Sequence, residues 1–180
     1  AVATVFFGRY GLSSWAAALI AFLICVAIGI INGILVGKLR LNGFITTFAV
    51  SQIARGAVFV LTKGYSLNFP TQNDSFQAFG NARLLGVPVI VIIFAVLTIV
   101  SHFLLRKSSI LRKVFYVGSN ESAAVLSGIN SSNVKMALYI LSASLAALAG
   151  VLTAARFGVA TATIGDGLEM QAISAVVIGG

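Results

Sequence analysis

The chain has 180 residues, of which 59% are hydrophobic and only 9% charged, with a formal net charge of +8 and a mean hydropathy of +1.05. A water-soluble domain carries about a quarter of its residues as Asp, Glu, Lys or Arg, so this composition excludes one and points to a membrane protein. The lone Cys25 excludes an internal disulfide and a cysteine-only metal site, and a chain running from Ala1 to Gly179-Gly180 within apolar sequence reads as a fragment of a longer protein.

A membrane span needs about 20 mostly apolar residues, and four segments qualify: 15–37, 43–62, 87–105 and 134–155. The expected fold class is therefore all-α, a polytopic transmembrane helical bundle, with residues 1–180 as a single transmembrane domain fragment. The first span is too long for a signal peptide, lacks a basic leader and is followed by further spans. Along it, Ala17, Ala21, Cys25, Gly29, Gly33 and Gly37 fall every fourth residue. Such a ridge of small residues lets helix backbones approach closely in lipid. Asn32 is a polar residue within this span.

On the second span, Thr47, Ser51 and Arg55 are spaced i, i+4 and i+8 and share one face. Arg55 lies 12 residues beyond Gly43, roughly 18 Å along a helix, past mid-bilayer. A charge at this depth needs water or a partner. Two readings follow: a polar stripe lining a hydrated pathway, or an arginine that snorkels outward while the hydroxyls bond neighbouring helices. The following segment, 63–86, carries Tyr65, Phe69, Phe76 and Phe79 among polar residues. It reads either as a docking surface or as an interfacial aromatic belt.

After the third span comes a long connection, 106–133. Within it, residues 118–129 predict a short helix with Ser119 or Asn120 as N-cap, Glu121 at the positive end of the dipole and Gly128 as the stop. Two turns are not stable alone in water. The segment is either a connector on the membrane surface or a piece that rests on another surface, which the small Ala123 and Ala124 would let come close. The fourth span repeats the ridge device with Ser142, Ala146, Gly150 and Ala154. A last apolar stretch, within 168–180, is too short to cross and reads as the start of a broken or re-entrant helix.

Charge sets the sidedness. Lys38 and Arg40, together with Arg106, Lys107, Arg112, Lys113 and Lys135, put seven of the twelve cations on one side, with Arg9, Lys63, Arg83 and Arg156 opposite. The basic side is expected to be cytoplasmic. Topology thus accounts for the positive charge without nucleic acid. The four acids, Asp74, Glu121, Asp166 and Glu169, are scattered, and there is a single His102. Neither a hydrolytic triad, a carboxylate pair nor a zinc site can be assembled from them. No phosphate loop ending in Gly-Lys-Ser or Gly-Lys-Thr occurs either. The chain is not expected to be an enzyme or to carry a cofactor, and any ATPase must be a separate chain.

Ser122-Ala123-Ala124 followed by Gly128 resembles the Glu-Ala-Ala-x-x-x-Gly signature of ATP-binding-cassette importer permeases. The fuller Gly118-x-Asn120-x-x-Ala123-Ala124-x-Leu126-Ser127-Gly128-Ile129 is similar to the ribose-type branch of monosaccharide permeases. Three more blocks agree in order: Asn32-Gly33-x-Leu35-Val36, Phe44-Ile45-x-Thr47 with Arg55-Gly56, and Ala155-Arg156 leading to Gly165-x-Gly167-Leu168-Glu169 and Ala172-Ile173. Departures are Ser122 for the signature Glu, with Glu121 one place early, Asn42-Gly43 where a Pro is usual, Phe48-Ala49 for Leu-Gly, and Met170-Gln171 for Leu-Asp. The resemblance implies a multi-pass permease of the bacterial inner membrane that imports a monosaccharide such as ribose, or a similar polar solute. It implies as partners ATPase subunits, a periplasmic sugar-binding protein, a second permease subunit and membrane lipid. Gly118, Asn120, Glu121, Ala123, Ala124 and Gly128 would couple to the ATPase, with Asn32, Thr47, Ser51 and Arg55 on the pathway. The alternatives are a secondary transporter driven by an ion gradient, which would need intramembrane acids or a proton-relay His, and a membrane anchor.

Overall fold

The computed structural model describes residues 13–68, 75–84, 86–161 and 163–179; Arg9, Phe69 and Asp74 lie outside them. Four of its helices are long and apolar enough to cross a membrane. Helix α1, Ser14–Gly33, starts where the Ser13 hydroxyl accepts a bond from the Ala16 amide, and it widens into a π-helical turn at Ile34–Lys38. Arg40 follows with φ +55, a left-handed turn residue. Asn42, standing where the family pattern has a Pro, then caps α2, Gly43–Thr62, its Oδ1 accepting from Phe44 and Ile45 amides at 3.1 and 3.2 Å. The change thus replaces one helix-starting device by another.

The segment after α2 is more structured than its sequence suggests. Strand β1, Leu67–Asn68, pairs antiparallel with β4, Val159–Ala160, and β2, Arg83–Leu84, pairs with β3, Val87–Pro88. Between them α3, Ser75–Asn81, lies on the end of the fourth long helix. Helix α4 covers Val89–Lys107, α5 Ser109–Ser119, α6 Glu121–Leu126, α7 Ser131–Phe157 and α8 Leu168–Gly179. The 12 described residues of α8 rise roughly 18 Å.

The tightest packing is α1 against α7, antiparallel. A Cβ on Gly29 would sit 2.5 Å from the Ala143 methyl, one on Gly33 2.9 Å from Met136 Cγ, and one on Gly37 2.8 Å from the Ser132 carbonyl oxygen. The ridge read along the first span is therefore in use. That read along the fourth is used only at its end: Ala154 packs against the cluster around Ala17, whereas Ser142, Ala146 and Gly150 are exposed, and a Cβ on Gly150 would meet nothing. Helix α7 carries a second small ridge, Ala143 and Ala147, about 100° round the helix, and α1 takes that one. Gly33→Leu is accordingly expected to destabilise the protein by about 1–3 kcal/mol through overpacking. Gly150→Leu is expected to leave thermal unfolding in detergent unchanged.

A buried cluster of Ala17, Ala18, Phe76 and Ala155 closes the other end of this pair. Phe76, a docking candidate by sequence, is in fact core. Its ring meets Trp15 edge-on at 5.2 Å, and Phe79 stands 5.7 Å from the same indole. Gly80 lies against the Ala155 backbone, and Asn81 Nδ2 donates to the Arg156 carbonyl at 3.3 Å. Tyr65 remains exposed on this side.

Candidate functional site

Helix α6, of six residues, is held at both ends by its own sequence. Asn120 Oδ1 accepts from the Ala123 amide at 3.0 Å. At the far end the Gly128 amide reaches the Val125 carbonyl at 2.9 Å with Gly128 at φ +79, a conformation that favours glycine. The Ser127 hydroxyl also donates to the Ala123 carbonyl at 2.9 Å. These bonds hold the turn, and the rest of the chain supplies the surface on which it sits.

Ala124 is 4% exposed and faces inward, whereas Ser122, Ala123 and Val125 are open and Leu126 is 90% exposed. Gly118, in the last turn of α5, has open space around it. Lys135, near the start of α7, donates to both Glu121 oxygens at 2.8 and 2.7 Å. The acid displaced by one place from the signature thus bonds within the chain. Lys135 and then Ser131 hold the Glu121 carboxyl below its ordinary value.

A carboxylate depressed in the folded state contributes stability above its unfolded pKa and loses it as pH falls through the folded value. The pair is therefore complete at neutral pH and fails only below about 4.3, the ordinary Glu value. Cross-linking of cysteines placed at 121 and 135 would report the seating itself. In the native pair, proton-detected titration of Glu121 should show no change between pH 6 and 8 on that scale. An open crevice of about 690 Å³ lies beside the pair, lined by Arg40, Gly43, Glu121, Ser131 and Lys135 among others. It brings α6 next to the turn joining α1 and α2.

The other predicted residues form a second group. Thr47, Ser51 and Arg55 lie on one side of α2. The Thr47 hydroxyl donates to the Gly43 carbonyl at 2.8 Å and the Ser51 hydroxyl to that of Phe48 at 2.7 Å. Both thus bond their own helix rather than a neighbouring one. Arg55 is neither unpaired nor only snorkelling: Nη1 stands 2.9 Å from Asp166 Oδ1, an ion pair without an aligned N–H. The side chains are 24% and 67% exposed, respectively. Asn32 Oδ1 and Thr62 Oγ1 are buried and accept from nothing within the described residues.

Sequence reasoning treated the four acids as scattered and missed that Glu121 and Asp166 each hold a cation. For Arg55 the available signal was topological, since residues 156–167 fall on the side towards which Arg55 is displaced. It also missed Leu126, whose exposure only the seated helix reveals. Among the described residues, no group of His, Cys, Asp and Glu could hold a metal ion.

The ribose import permease protein RbsC of Escherichia coli (strain K12) is 39% identical over 156 residues, covering 86% of this chain and 49% of that protein. The fructose import permease protein FruF of Bifidobacterium longum is 36% identical over 173 residues, covering 94% and 49%. The L-arabinose transport system permease protein AraH of Escherichia coli (strain K12) is 33% identical over 150 residues, covering 83% and 45%. The chain spans about half the length of these curated relatives. No solved structure matches it. The family described as branched-chain amino acid transport system / permease component matches residues 1–180, and the chain belongs to that permease family.

Proposed function

We propose that the chain is part of the membrane-spanning subunit of a bacterial ATP-driven importer, carrying a monosaccharide or similar polar solute across the inner membrane. The observation that supports this best is the set of relatives, whose names give ribose, fructose and L-arabinose as cargo. The family description names branched-chain amino acids instead. Sugars are favoured because three relatives at 33–39% identity agree on that class.

In this reading α6 is the element an ATPase subunit grips, with Asn120 and Gly128 fixing its shape and Ala124 its seat. Glu121 and Lys135 fasten it to α7, which the glycines of α1 grip in turn. Displacement of α6 would then move α1 and α7 as a unit, the rigid-body step of alternating access. Asn32, Thr47, Ser51 and Arg55 would meet the solute, whose hydroxyls suit hydrogen-bonding side chains. A periplasmic sugar-binding protein would deliver it on the side of Tyr65, and a second permease subunit would complete the pathway.

The test is uptake by the full-length protein with its ATPase and binding protein in sealed vesicles. Uptake of labelled ribose, fructose or L-arabinose should need ATP and survive an uncoupler. Uptake abolished by the uncoupler in the presence of ATP would favour the ion-gradient alternative. Within this reading, cysteines at 47 and 51 should react with a water-soluble thiol reagent during turnover; protection at both removes them from the pathway.

A further inference from the structure

Helix α5 begins almost where the third long helix ends: only Ser108 separates Lys107 of α4 from Ser109. The 19 residues of α4 rise roughly 28 Å, close to the thickness of the hydrocarbon layer. The start of α5 is therefore held at the membrane surface. Arg106, Lys107, Arg112 and Lys113 fall around this junction, and no acid occurs between Asp74 and Glu121.

The helix is two-sided. Leu111, Val114 and Val117 are half-buried towards the chain, whereas Arg112, Lys113, Phe115 and Tyr116 are exposed. The four exposed residues occupy an arc of roughly 160° at helical periodicity. Round the helix the rings and cations alternate in the order Phe115, Arg112, Tyr116, Lys113, on a helix that starts at the bilayer surface. A soluble-facing helix would present polar residues there.

We propose that α5 is an interfacial helix whose Arg112, Lys113, Phe115 and Tyr116 face rests on a leaflet containing anionic phospholipid. The rings would sit at headgroup level, while the long cationic stems lie along the acyl boundary and their charged ends meet lipid phosphates. Arg106 and Lys107 extend the same positive surface from the end of α4. Asn120, the N-cap of α6, directly follows α5, so the leaflet would hold the base of α6 in place. The proposal depends on the membrane-spanning fold and the face of α5, and it stands whatever solute is carried.

The test uses the full-length protein in vesicles of phosphatidylcholine, with and without phosphatidylglycerol. Phe115→Cys in a Cys25→Ala background carries a fluorophore that can be quenched by brominated lipid. Quenching should be several-fold stronger in phosphatidylglycerol vesicles than in phosphatidylcholine alone. Arg112→Gln with Lys113→Gln should remove most of this difference, since each cation near an anionic surface is worth roughly fivefold in affinity and the two together roughly 25-fold. A label at position 111, on the half-buried face, should not respond to lipid composition.

A label at 115 equally open to aqueous iodide in both vesicle types would overturn the proposal. So would one shielded only after a partner protein is added, which would make the face a protein contact. The unlabelled chain gives an independent measurement: amide exchange in α5 should slow in phosphatidylglycerol vesicles relative to phosphatidylcholine, and equal exchange would also overturn it.

Discussion

Leu126→Asp is expected to abolish ATP-dependent uptake while the protein still inserts and folds. Leu126 is 90% exposed at the end of α6, so its side chain supports almost nothing within the chain. An exposed Leu on the element proposed to meet an ATPase gains its energy only when that partner covers it. Full burial of such a side chain is worth about 1.5–3 kcal/mol. A carboxylate placed in the same contact adds an unpaired charge, for a loss of about 2–4 kcal/mol, or roughly 30- to 1,000-fold in affinity.

The measurements are co-purification of the ATPase subunit and uptake in sealed vesicles, with detergent unfolding as the control for folding. Normal association by a folded variant would remove α6 as the contact. Ala124 is the less informative site, although the small residue is what draws attention in the sequence. It is 4% exposed, so a charge there would unseat α6 from its own chain, and lost uptake would not separate coupling from folding.

That contrast shows where sequence reasoning reaches its limit. The long helices were legible because each is an apolar run of membrane length, and lipid imposes helix on any such run. The shape of α6 was legible because Asn120 and Gly128 act on their immediate neighbours. Which side of α6 faces inward was not, since Ala123 and Ala124 are alike and only packing separates them. The same ambiguity holds for α7, where one small ridge runs through Ser142, Ala146, Gly150 and Ala154 and another through Ala143 and Ala147. Spacing shows that both exist, but only the position of α1 decides between them. Helix α5 is not legible as a two-sided helix because it is short, at 11 residues, and topology alone accounts for its charges. The pairing of Arg55 with Asp166 joins residues far apart in the chain, and no local pattern announces it.

Breaking that pair is expected to produce the second large effect. Arg55 and Asp166 are 2.9 Å apart and join α2 to the segment leading into α8. If Asp166 is replaced by Asn, Arg55 keeps its charge within a membrane-length helix but loses its counter-ion. A central arginine costs about 2.5–3.5 kcal/mol on insertion scales. Arg55 lies towards the outer end of α2, where its long side chain can carry the charge to the interface, so the stability loss should fall below that central figure, at about 1–2 kcal/mol.

Uptake should suffer more than stability, because without the ion pair the segment before α8 is no longer fixed against α2. Asp166→Asn and Arg55→Gln should each lower uptake by at least about tenfold, a barrier change of roughly 1.4 kcal/mol. The exchanged pair, Arg55→Asp with Asp166→Arg, separates two roles. If the residues act as a tie between the two segments, the exchange should restore a substantial part of uptake. If Arg55 instead contacts the solute at a fixed position, uptake should stay low even though the ion pair has re-formed. Wild-type uptake by both single variants would exclude either role, leaving the pair as a surface contact of the isolated fold.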